Sequence, residues 1–95
     1  MSVVQITDGG RITCKGKRVG PCMIEATRIA SVDPGRTQYA ITRAVGPYGS
    51  TYYGYRTLKR ALGARLIELR TREGSPWDGV YVTALGRELL AAVYR

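Results

Sequence analysis

Apolar and polar residues alternate through the first part of the chain. Val4 and Ile6 flank Gln5; after Asp8-Gly9-Gly10, Ile12 and Cys14 alternate with Arg11, Thr13 and Lys15. A period of two turns one side of each segment toward a core, so two short strands in a hairpin are predicted, with basic side chains on the outer face of the second. Lys15 to Pro21 (KGKRVGP) combines cations with Gly and Pro and reads as a loop. Cys22 to Val32 (CMIEATRIASV) is a longer β-favouring run in which Ile24 and Ala26 share one face and Ile29 takes the other. A bulge at Ala26 to Arg28 reconciles the two faces, and a helical turn is the alternative. Asp33-Pro34-Gly35 is a turn, because Pro pre-sets φ and Gly accepts positive φ. Gln38 to Val45 resumes the alternation with Tyr39, Ile41 and Val45 on one side and Arg43 interrupting it. Gly46 to Ser50 turns the chain again into a Tyr-rich strand, Thr51 to Arg56.

From Thr57, a candidate N-cap, the period changes to 3.6. Leu58, Ala61, Leu62, Leu66 and Leu69 fall within about 140° of a helical wheel, a face suited to covering a sheet. The helix is expected to stop at Glu73-Gly74, ahead of Ser75 and Pro76. Trp77 anchors a turn, Val80 to Val82 is a last short strand, and Thr83 to Arg95 is a second helix with Leu85, Leu89, Ala92 and Val93 on its apolar face. The expected fold is α+β: one domain over residues 1–95, with an antiparallel sheet of four to five strands in the N-terminal half. A helix near 58–73 covers the sheet, and a C-terminal helix near 83–94 packs beside it. Ile24, Ile41, Leu62, Leu66, Leu69, Trp77, Leu85 and Leu89 are the expected core.

Charge changes the picture from fold to partner. Fifteen Lys and Arg stand against seven Asp and Glu, a net charge of +8, and twelve of the fifteen cations are Arg. Such a surplus draws polyanions, and the planar Arg fork can hold two phosphate oxygens or stack on a base. The bland reading beside it is a solvated basic surface, with Arg favoured by GC-rich codons. No apolar run is long enough to cross a bilayer and no basic leader with an apolar block opens the chain, so no membrane partner and a cytoplasmic location are expected.

Catalysis and metal binding find little support. Without His, a general base must come from seven scattered carboxylates, a Lys or a Tyr. Cys14 and Cys22, the only cysteines, cannot build a four-ligand zinc site. They read as reduced thiols, although a hairpin would let them pair. No catalytic residue, cofactor or metal is therefore expected; a His-independent RNA endonuclease is the enzymatic alternative.

Three groups of residues are candidates for function. Lys15, Lys17 and Arg18 form the densest cationic cluster, and neighbouring glycines leave backbone N–H groups free for phosphate. Tyr48, Tyr52, Tyr53 and Tyr55 belong to a chain with seven Tyr and no Phe, so its rings suit half-exposed stacking positions. Arg43, Arg56, Lys59 and Arg60 add cations around the start of the expected helix.

Tyr39 to Leu69 (YAITRAVGPYGSTYYGYRTLKRALGARLIEL) resembles the strand, turn, strand and helix of AP2-type and integrase arm-binding domains and of a broader set of small phage and plasmid proteins. In that family the sheet enters the major groove, which implies Arg43, Tyr52 and Arg56 on a DNA-facing side. Residues 79 to 93 (GVYVTALGRELLAAV) resemble the last wing strand and C-terminal helix of MarR-type winged-helix repressors, where "LTxxGRxLL" recurs. The β-rich N-terminal half departs from that family, which begins with helices, and a winged helix needs its recognition helix within Leu58 to Arg72.

The expectation is a small, basic, non-catalytic protein that binds nucleic acid, DNA ahead of RNA, through Lys15, Lys17, Arg18, Arg43, Tyr52, Arg56, Lys59 and Arg60. The alternative is a phage-type accessory or inhibitor protein of anti-CRISPR kind that binds a host protein or nucleoprotein complex. An exposed sheet edge or the apolar C-terminal helix is compatible with a homodimer.

Overall fold

The computed structural model describes residues 3–45 and 51–94. Its first unit is the expected hairpin: β1 (Val4–Ile6) pairs antiparallel with β2 (Ile12–Cys14) in the register Val4 to Cys14 and Ile6 to Ile12. The stretch read as a loop adds a third strand, β3 (Lys17–Arg18), through a two-residue turn in which Lys15 and Gly16 both take positive φ, 51° and 80°. That pair of φ values matches the twist of the flanking strands, so the chain folds back tightly and puts Lys17 and Arg18 on an edge strand.

The next segment corrects the expectation. Pro21–Val32, read as a β run with a bulge, is helix α1. Pro21 opens it, where a missing N–H leaves no bond unmade. Met23, Ala26, Thr27 and Ala30 repeat at helical spacing and are buried. The buried Thr27 hydroxyl donates to the Met23 carbonyl at 2.8 Å, so a β-branched polar residue sits inside the helix without an unmet bond.

After the Asp33-Pro34-Gly35 turn comes a two-residue strand, β4 (Arg36–Thr37), and then two more helices replace the expected strands. Helix α2 (Gln38–Val45) begins where the Thr37 hydroxyl accepts the Ala40 N–H at 3.2 Å, and it buries Ile41, Thr42 and Val45. Helix α3 (Thr51–Gly63) buries Gly54, Leu58 and Ala61, spaced by four and three residues. The strand–turn–strand resemblance to arm-binding domains over Tyr39 to Leu69 therefore fails, since both of its strands are helical.

The helix expected to run to Glu73 stops ten residues earlier, at Gly63. Arg65 takes a left-handed φ of 61°, and the Leu66 N–H reaches back to the Ala61 carbonyl at 3.1 Å, which closes the end. Ile67–Arg70 then forms β5, and Gly79–Val82 forms β6, as expected for Val80 to Val82. These strands make a second sheet in the order β4-β6-β5, antiparallel throughout, with Thr37 opposite Gly79 and Ile67 opposite Val82. Helix α4 (Ala84–Val93) follows, near the expected 83–94, with the Thr83 hydroxyl accepting the Gly86 N–H at 3.0 Å as its cap.

The α+β class is observed, and the described residues form four helices and two three-stranded sheets in place of one sheet of four to five strands. One core lies between α1, α2, α3 and the second sheet, around Ala26, Ile41, Leu58, Ala61, Ile67 and Val80. The other joins the N-terminal sheet to α1 and α4 through Val4, Cys14, Ile24, Leu66 and Leu89. Of the expected core, Ile24, Ile41, Leu66 and Leu89 are buried, while Leu62 and Leu85 are partly buried and packed against it. Leu69 is exposed, and Trp77 is 69% exposed because it belongs to the β5–β6 loop. No described helix is long and apolar enough to cross a membrane.

Candidate nucleic-acid interface

Helix α3 carries most of the expected site. Its buried residues Gly54, Leu58 and Ala61 define the inner side. Tyr55, Arg56, Lys59 and Arg60 are exposed and occupy an arc of about 140° on the opposite side of the wheel. Arg56, Lys59 and Arg60 thus share one face of a helix that starts earlier than expected and ends at Gly63. The Lys59 ammonium lies 5.1 Å from the centre of the Tyr55 ring, an i,i+4 pair that steadies both side chains. Tyr55 is one of the four clustered tyrosines but not one of the expected contact residues, and helical spacing is the signal that singles it out. Of Tyr52 the described part is its backbone in α3, and Tyr48 lies outside the described residues.

The electrostatics of this region follow from the sequence. Between Asp33 and Glu68 there is no carboxylate side chain, while Arg36, Arg43, Arg56, Lys59, Arg60 and Arg65 all fall there. Of the fifteen cations, some are neutralised locally: Arg28 pairs with Glu25, Arg36 with Asp33, and Arg70 with Glu68. Arg70 also lies 4.7 Å from the centre of the Tyr81 ring, which ties it to its own hairpin. No ion pair among the described residues engages Lys17, Arg18, Lys59 or Arg60.

Two of the candidate groups come together across the fold. A cavity of about 570 Å³ opens between β3, the start of α1 and one flank of α3, lined by Lys17, Arg18, Pro21, Cys22, Thr57 and Arg60. Among the described residues no carboxylate is part of its lining. Lys15 sits exposed at the hairpin turn, outside this lining, and Arg43 is exposed on α2, also outside it. The two thiols are free: Cys14 is buried, which pushes its pKa up, and Cys22 is exposed at the cavity. Among the described residues no group of His, Cys, Asp and Glu is placed to hold a metal ion.

A second surface is aromatic. Tyr39, at the start of α2, and Trp77, in the β5–β6 loop, are 67% and 69% exposed. Both line a cleft of about 530 Å³ with Gln38 and Asp78, brought together by the pairing of Thr37 with Gly79. Neither is an expected site residue: alternation places Tyr39 on a strand face, and Trp77, read as the anchor of a turn, counts with the expected core. No family model, no curated protein and no solved structure matches the chain.

Proposed function

We propose that the protein binds duplex DNA through the exposed face of α3, as a winged helix-turn-helix. The element order α1, β4, α2, α3, β5, β6 with strands paired β4-β6-β5 supports this reading. In that architecture two packed helices precede a hairpin wing, and the second helix of the pair lies in the major groove. The helical course of the chain from Pro21 brings it closer to the winged-helix pattern, and α3 begins ahead of the Leu58 to Arg72 interval expected for a recognition helix.

The observation that carries the proposal is the composition of the α3 face. Tyr55, Arg56, Lys59 and Arg60 stand opposite the buried stripe with no acid on the helix. A helix fits the B-form major groove, where Arg and Lys reach guanine edges or phosphates, whereas the A-form groove of RNA is too narrow to admit it. The reading gives no residue a catalytic role. Gel shifts on duplex DNA, single strands and duplex RNA test the proposal; duplex DNA should bind best and Lys59→Ala should weaken it.

A protein partner is the second reading, favoured by the exposed Tyr39 and Trp77 beside Asp78. Such rings are frequent interface anchors. Retention of one host protein after nuclease digestion, lost in Trp77→Ala, would favour this inhibitor-like role.

A further inference from the structure

We propose that the cavity between β3, α1 and α3 is a phosphoryl-binding site, and that the N-terminal sheet is thereby part of the binding device. The inference rests on the α3 reading for its source of phosphate, the duplex backbone, but the site is defined by its own chemistry.

Lys17 and Arg18 reach it from one edge strand and Arg60 from α3, forty-two residues on from Arg18. Three like charges around one concavity repel each other, and none is relieved by an ion pair among the described residues. An anion there removes that repulsion and gains charge-assisted hydrogen bonds at once. Thr57, a residue that carries a hydroxyl, lines the same wall. Arg60 also belongs to the exposed face of α3, so a phosphate held in the cavity sits at the border of the groove-facing surface. A duplex lying on α3 would then have its flanking backbone gripped between the helix and the β2–β3 hairpin.

Cys22 provides a direct reporter, because this free cysteine is exposed and lines the cavity while Cys14 is buried. Alkylation of Cys22 by a neutral maleimide is followed with sodium pyrophosphate or with duplex DNA, against sodium chloride of equal ionic strength. If the anion blocks access, the rate falls by 1 + [L]/Kd, about fourfold at a ligand concentration three times Kd. Protection by pyrophosphate that disappears in Arg18→Ala and Arg60→Ala, but persists in Lys15→Ala, supports the site. Absence of protection by both pyrophosphate and DNA overturns it, as does protection that survives loss of Arg18 and Arg60. Protection by pyrophosphate without binding of DNA keeps the site and rejects the duplex as its source. Thermal unfolding of each variant confirms that the exposed substitutions leave the fold intact.

Discussion

Gly54 of α3 lies directly against the backbone carbonyl of Thr42 in α2, so close that a Cβ on residue 54 would overlap the carbonyl oxygen. The two helices can approach this closely only because no side chain stands between them. This contact fixes how α3 is carried by α2 and therefore where the face bearing Tyr55, Arg56, Lys59 and Arg60 points.

Gly54→Ala tests that relationship. On an isolated helix the change is favourable by up to about 1 kcal/mol. Here backbone faces backbone and cannot rotate aside, so the variant should be less stable by about 1–3 kcal/mol, the usual range for overpacking. Chemical denaturation reads the difference. A stabilised variant would mean that α2 and α3 are farther apart.

Trp77 gives a second check on the fold. It is the only tryptophan and is 69% exposed. Its emission should be that of a water-exposed indole and should be quenched readily by acrylamide in the folded protein. Blue-shifted, protected emission would restore the core position that its aromatic character suggests.

Acid should weaken α1 in a defined way. The Arg28 hydrogen bond holds the Glu25 carboxyl below its ordinary value, against the smaller opposing effect of burial. A depressed folded pKa stabilises the protein above the unfolded value of about 4.3, and that contribution is lost as pH falls through the lower folded value. The pair is partly solvated, so the effect is small. Glu25→Gln should lower the denaturation midpoint slightly at neutral pH, and the difference from the native protein should vanish in acid.

The β1–β2 hairpin, β6 and α4 are legible in the sequence because local signals agree there. Alternation is bounded by Asp8-Gly9-Gly10 in the first case, and Thr83 caps an apolar stripe in the last. The middle of the chain misleads for physical reasons. β-branched residues such as Ile24, Thr27, Ile29 and Ile41 favour strands intrinsically, yet tertiary burial along α1 and α2 outweighs that preference. In α3 the expected Tyr-rich strand, Thr51 to Arg56, is helical, and the end of the helix also differs. Leu62, Leu66 and Leu69 continue its apolar wheel, and nothing in the sequence announces that Arg65, a residue with a Cβ, will take left-handed φ and reverse the chain. Lys17, Arg18 and Arg60 are legible as cations, but their convergence depends on the packing of the N-terminal sheet beside α1 and α3.

Neutralising the exposed α3 face should reduce the salt sensitivity of binding in proportion to the charges removed. The most direct measurement is the affinity for duplex DNA across a salt series, compared between the native protein and the Lys59→Ala, Arg60→Ala double variant. The native protein should give a steep logarithmic slope, and the double variant a slope shallower by about 1.8, near 0.9 for each phosphate no longer neutralised. A flat dependence in the native protein, or the same slope in both, would contradict the account.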